Sequence, residues 1–383
     1  MKIDKKGIKI FLLAMLAVTL VFGLVLVGCA TSGGGSGTPP TPDKQAEQLA
    51  ADLNAIKAGS ATAEGATVRP TGEVYLKTGL TVPAGVTLDL TADKVRFELQ
   101  NGAELTVDGT VNTSGGGLRL GEGAVVINGS GTISLKSKGR LLNINGKKHL
   151  TLEGVTLTGL PDNDNSLVQL GGGGEFVMKS GAITGNTLTG SGGGVRVREN
   201  AIFTMEGGAI TGNTTTTGSG GGVRVDENAI FTMKGGAITG NTATGAAGGV
   251  AVNGNAIFTM EGGEISGNTT TGSGGGVRVD ENATFTMKDG EISGNTAAKF
   301  GGGVLVNKSG IFSKTGGTIY GDTDNIHTPG STENTSNIGH AVFLGRGGRP
   351  DPNLLRNSTA GEGDNISWDG TNVEGFDGET TAG

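Results

Sequence analysis

From about Ala66 onward, apolar residues alternate with polar or small ones in short runs. They are Val74/Leu76, Val86/Leu88/Leu90, Val95/Phe97/Leu99, Leu105/Val107, Leu118/Leu120, Val125/Ile127, Ile133/Leu135 and Leu142/Ile144. Gly, Asn, Asp or Pro separates many of the runs. A period of two predicts short strands that each bury one face. Upstream the spacing is helical instead. Ala46, Leu49, Ala50, Leu53 and Ile56 form one stripe, with Thr41 and Pro42 placed as N-cap and first-turn proline and Gly59 as the stop. This predicts one helix within 42–59 that caps the open end of a sheet, where unpaired strands would otherwise recruit other chains. A partner-binding helix is the rival reading.

The later half is strictly periodic. Phe176, Phe203, Phe231, Phe258, Phe285 and Phe312 recur at steps of 27, 28, 27, 27 and 27 residues, and Ile183, Ile210, Ile238, Ile265, Ile292 and Ile319 keep those steps. One unit, Gly220 to Thr242, reads GGGVRVDENAIFTMKGGAITGNT and contains three extended runs and three turns. A unit this short cannot make a four-stranded propeller blade, and it lacks a leucine-rich consensus. Three strands per coil fit it. Stacked coils place each residue about 4.8 Å from its equivalent in the next, so Phe lies on Phe and Ile on Ile. The predicted fold is all-β: a single-stranded parallel β-helix of about 27 residues per coil, spanning 60–345 and regular from about 171 to 320.

Two series support this register. Lys179, Glu206, Lys234, Glu261 and Lys288 alternate in sign from coil to coil, which avoids an outward ladder of like charge. Asn186, Asn213, Asn241, Asn268 and Asn295, with Asp322 next, sit beside glycine at a turn. Stacked amides there can bond along the axis, or the residues can tolerate left-handed backbone.

The coil pattern resembles right-handed parallel β-helix proteins of the pectate-lyase superfold. The Gly-Gly-Ala-Ile tetrads at 207–210 and 235–238 are similar to half of the chlamydial polymorphic outer-membrane protein repeat; its other half, Phe-x-x-Asn, is not matched, since Thr204-Met205-Glu206 follows Phe203. The resemblance implies the architecture and a right-handed coil. It does not select a function, because such folds host lyases, hydrolases, adhesins and inert spacers.

Composition then becomes intelligible. The 383 residues include 76 Gly and only 9 Pro, without the three-residue period of collagen, and many glycines fall at the same corner of each coil. At the N-terminus four lysines and Asp4 precede an apolar run over 10–27 that ends Leu26-Val27-Gly28-Cys29. This reads as an export signal over 1–28, and its end resembles the bacterial lipobox, in which the cysteine is lipidated. An uncleaved membrane-spanning helix is the alternative. Cys29 is the only cysteine, so no disulfide can form. Residues 29–41 read as a flexible, then Pro-rich tether. In the resembled sorting rule an Asp after the cysteine retains a lipoprotein at the inner membrane; Ala30 stands there instead, which implies the outer membrane or cell surface. The leader carries a net +3, so the mature chain stands at −10 against −7 for the full chain. That balance disfavours nucleic acid.

Candidate chemistry is sparse. On the Val strand the outward series is Arg196, Arg224, Ala251, Arg278 and Leu305, followed two positions on by Arg198, Asp226, Asn253, Asp280 and Asn307. Arg224/Asp226 and Arg278/Asp280 could mimic a lyase base beside metal ligands, or serve as a recurring surface ladder for binding or solubility. Asp162-Asn163-Asp164-Asn165 and Asp322/Asp324 interrupt the coil without calcium-loop spacing and read as solvated loops. His149, His327 and His340 lack zinc-ligand spacing. No cofactor or metal is expected. After 346 a C-terminal cap is expected, with Ile366 and Trp368 over the open end and a disordered tail beyond Glu374.

The sequence therefore leads to a monomeric, membrane-anchored surface lipoprotein, non-catalytic and used for adhesion to an extended polysaccharide or a host or matrix protein. A polysaccharide lyase or glycoside hydrolase working in a groove, and an envelope spacer, are the alternatives.

Overall fold

The structure is a computed structural model that describes residues 25–27, 41–58, 65–307, 309–321, 333–337, 339, 341–346, 349–356, 360, 366–368 and 373–374. Within them the chain is a parallel β-solenoid. Three faces line it, one of them broken once in the early coils, seen in one coil as Val223–Val225, Ile230–Met233 and Ala237–Thr239. Each strand pairs in parallel with its equivalent one coil away: Phe203 with Phe231 and Phe231 with Phe258, Ile210 with Ile238 and Ile238 with Ile265.

The regular coils carry a fourth strand that the three-strand expectation lacked. Thr187–Leu188, Thr214–Thr215, Thr242–Ala243, Thr269–Thr270 and Thr296–Ala297 form a five-stranded sheet of two-residue strands. Their inward positions, Leu188, Thr215, Ala243, Thr270 and Ala297, are small or slender and all buried. The chain can therefore stay extended for one further rung before turning.

The core is a set of one-residue columns. The six stacked phenylalanines are fully buried, and the rings of Phe203, Phe231, Phe258 and Phe285 follow one another at 4.8 Å, near-parallel. The strand spacing dictates that distance. Each buried apolar side chain is worth about 1.5–3 kcal/mol, which offsets the entropy lost in ordering so glycine-rich a backbone. Met178, Met205, Met233, Met260 and Met287 form a second column, and Lys314, also fully buried, takes its last place.

A polar column runs beside them. Asn213, Asn241, Asn268 and Asn295 have no exposed surface, and each sends its backbone N–H and its Nδ2 to the Oδ1 of the next asparagine at 2.8–3.1 Å. The Nδ2 also donates to an isoleucine carbonyl of the preceding coil, as from Asn241 to Ile210 at 2.9 Å. Of the two roles open to these residues, the axial bonds are the one observed. The left-handed backbone falls to the preceding glycines, such as Gly240, and to Glu-Asn pairs at another corner, such as Glu227 and Asn228. The series ends on Asn334, which accepts from Asn295, and not on Asp322, which lies outside the described residues.

This column also explains a glycine. A Cβ at Gly222 would sit 3.0 Å from Asn241 Nδ2 and 2.9 Å from Ile238 Cγ2, and Gly194, Gly249, Gly276 and Gly303 face the same crowding. The residue before each Val strand is therefore glycine because the asparagine and isoleucine columns occupy the space a side chain needs.

Both ends are covered. The helix Pro42–Ala58 packs Leu49, Leu53 and Ile56 onto the first coil, as its stripe predicts, and Asp43 pairs with Lys77 at 2.7 Å. Val25–Val27, at the end of the apolar run over 10–27, pair with Thr67–Arg69 at the same end. At the other end Ile366–Trp368 runs antiparallel to Ile311–Lys314 and buries both Ile366 and Trp368. Residues beyond Glu374 lie outside the described residues.

Asn241→Leu leaves the Asn213 N–H without its acceptor and removes the donor to the Ile210 carbonyl. Each such buried loss costs about 1–3 kcal/mol, so urea unfolding should show a drop of about 3 kcal/mol. Asn228→Gly, at a left-handed corner, should leave stability unchanged or slightly higher.

Candidate functional site

The structure brings the arginine series together as the sequence register requires: Arg196 pairs with Arg224, Arg224 with Ala251, Ala251 with Arg278 and Arg278 with Leu305. The arginines of the expected surface pairs remain partly exposed, while the aspartates lie deeper. Asp226 is 5% exposed and Asp280 is largely covered beneath its arginine. Each aspartate directly follows a Val strand, where the turn tucks its carboxylate under the guanidinium. Arg224 Nε lies 2.9 and 2.7 Å from the two Asp226 oxygens, and its Nη1 donates to Ser191 Oγ at 3.2 Å. Arg278 repeats the arrangement with Asp280, its Nη2 reaching Oδ1 at 3.2 Å. Asp226 also faces Arg196 of the previous coil at 3.7 Å.

Asp226 thus stands between two stacked guanidiniums that would otherwise repel. Burial pulls Arg196 below its ordinary pKa, with Arg224 and Arg198 adding to the effect and Asp226 opposing it. Each carboxylate is held by its own arginine, and the arrangement is repeated in another coil. Carboxylates paired in this way make a charge network within the ladder, a setting that opposes taking up a proton as a general base does.

The remaining candidates separate. Asn163 is not solvated: it is buried and opens the asparagine column, its Nδ2 donating to Asn186 Oδ1 at 2.9 Å. Asp162 beside it is exposed and paired to Lys138 at 2.8 Å, which raises the Lys138 pKa. Asn186 hands on to Asn213 through its backbone N–H. The alternating charge series closes in pairs, Lys179 to Glu153 at 3.6 Å, Lys234 to Glu206 at 3.2 Å and Lys288 to Glu261 at 3.0 Å, each lysine reaching back one coil. His149 pairs with Glu175 at 2.9 Å. Among the described residues no three His, Cys, Asp or Glu side chains converge as a metal site, and no helix is long and apolar enough to cross a membrane. Cys29, residues 30–40, Asp322, Asp324, His327 and His340 lie outside the described residues.

Two surface features escaped the sequence reading. Ile202, Ile230, Ile257 and Ile311 form an outward column beside the phenylalanine face, each roughly two-fifths exposed, with Thr284 at the one intervening rung. Two residues on, Thr204, Thr232, Thr259, Thr286 and Ser313 make a parallel hydroxyl column. The alternating pattern held this signal, since Ile202 shares the parity of Thr204. The second feature is a cavity of about 450 Å³ on the Val side of the early coils, lined in part by Arg119, Arg140 and Lys148.

No family model, no characterised protein and no solved structure matches the chain.

Asp226→Asn removes the negative charge between Arg196 and Arg224. Stability should fall by about 2 kcal/mol, and by less in high salt, which urea titrations at two ionic strengths measure. Asp89 supplies a pH test. Burial raises its pKa, but hydrogen bonds from Thr91 and Arg69 outweigh this and hold it below the ordinary value. Its contribution is present above the unfolded pKa of about 3.9 and is lost as pH falls through the lower folded value. Asp89→Asn should flatten stability against pH in that acid window and leave the slope near neutrality unchanged.

Proposed function

We propose that this chain is a bacterial envelope lipoprotein, anchored through Cys29, whose β-solenoid is a non-catalytic display surface for an extended ligand. The observation that supports the reading best is the twin column of exposed isoleucines and hydroxyls. It offers a weak apolar and hydrogen-bonding site in four of five successive coils. An extended polysaccharide or a host or matrix protein engages several such sites at once, and avidity then exceeds the affinity of any one. Exposed apolar columns of this kind are unusual on a chain that contacts only water. The self-paired aspartates, Asp226 buried and Asp280 partly so, weigh against a lyase or hydrolase working on the arginine face. An inert envelope spacer does not require the isoleucine column.

Three measurements address the reading. Cys29→Ala should abolish incorporation of labelled fatty acid, and continued labelling refutes the anchor. Protease added to intact cells should cleave the protein; protection in whole cells with cleavage after lysis places it inside the envelope and removes host contact. Replacing Ile202, Ile230 and Ile257 with Thr should reduce retention on immobilised polysaccharide or matrix protein by about tenfold or more. New reducing ends or unsaturated products from polysaccharides would favour the enzymatic alternative instead.

A further inference from the structure

The third face of the solenoid is interrupted once. Glu73–Leu76, Arg96–Leu99 and Leu118–Leu120 form one short sheet, and the sheet that continues on that side starts afresh at Leu142–Asn145. The 450 Å³ cavity opens at this seam, within the range of about 300–1,000 Å³ typical of small-ligand sites. Unlike the arginine ladder, it occurs once.

Its walls are fixed. Gly116 N–H donates to the Arg140 carbonyl at 3.0 Å, so the two turns beside the cavity lean on each other. Asn163, the first member of the asparagine column, clamps Gly139 from both sides, accepting from its N–H and donating to its carbonyl at 2.9 Å. Arg140 gives its Nε to Oε1 of buried Gln169 at 2.6 Å, and Arg119 gives its Nε to the Gly116 carbonyl at 3.0 Å. Both guanidiniums are thus held by the inner nitrogen, and their terminal nitrogens have no partner among the described residues. Lys148 also lines the cavity. Among the described residues no carboxylate lies within ion-pair distance of Arg119, Arg140 or Lys148, in a chain whose net charge is −7. Asn143, with no side-chain hydrogen bond among the described residues, and Glu98, whose Oε1 accepts from Gln100 Nε2 at 2.6 Å, also line the cavity.

We propose that this cleft binds a small polyhydroxylated anion, a sugar acid or a sugar phosphate. Arg119, Arg140 and Lys148 hold the oxyanion, and Asn143 and Glu98 meet hydroxyls. Paired terminal nitrogens match the two oxygens of a carboxylate or phosphate, and positioning by Gln169 and Asn163 removes much of the ordering cost. The site is distinct from the isoleucine column and does not depend on adhesion.

Calorimetric titration of the full chain in detergent tests it, with glucuronate, glucose 6-phosphate, glucose and inorganic phosphate as probes. Saturable one-to-one binding of glucuronate or glucose 6-phosphate is expected, and the tighter of the two names the carboxylate or the phosphate as the source. Arg119→Gln with Arg140→Gln should weaken it by about tenfold or more, while Lys136→Gln, outside the cavity, should stay within about twofold. If circular dichroism shows the double variant unfolded, Lys148→Gln carries the same expectation of weakened binding. The proposal is overturned if neither anion saturates, if glucose binds equally well, if inorganic phosphate binds as tightly as either sugar, or if folded Gln variants retain full affinity.

Discussion

Everything in this molecule depends on one spacing, the distance between hydrogen-bonded parallel strands. Each coil must sit about 4.8 Å from the next over its whole circumference, so a residue meets its own equivalent and little else. The phenylalanine column obeys this to within a few tenths of an ångström until Phe312, where the rings splay as the antiparallel end strand closes the stack. A one-dimensional solid of this kind has a weakness: a ladder of identical apolar residues does not resist sliding or splaying at its corners. The asparagine column supplies directional bonds where the backbone turns away from sheet pairing. Its energy comes from burial, because an unpaired amide there has no water to turn to.

Much of this was legible. The period from Phe176 to Phe312 defines the coil, and alternation defines which residues face inward. The N-terminal coils were legible only as strands, because their length varies: Thr67, Thr87, Thr110, Thr132 and Thr156 are register partners at unequal steps. The asparagine series was read correctly as far as Asn295. Its continuation at Asn334 lies 39 residues on, past an insertion that a fixed period steps over, and Asp322 falls where the period alone would place the next member. Asn163 was hidden in the same way, since its acidic neighbours suggested a solvated loop while its side chain points along the column.

The candidate chemistry was less legible for a different reason. Sequence gives the order of outward residues but not their depth, and depth decides what Arg224 and Asp226 can do. An aspartate just past a strand end can point out to solvent or turn under the arginine two residues back, and here it turns under. The cleft at the broken sheet was invisible because Arg119, Arg140 and Lys148 share no motif or period. They converge only where one sheet stops and another begins, with a turn pinned in place by Asn163.

Residue-resolved hydrogen exchange of the folded chain tests the role of the asparagine column most directly. The backbone amides of Asn213, Asn241, Asn268 and Asn295 should be among the slowest to exchange, opening only with global unfolding. The corner amides of Glu227 and Glu281, at the left-handed turns, should exchange far faster. Equal, rapid exchange at both sets would contradict a solenoid held in register by its buried asparagines.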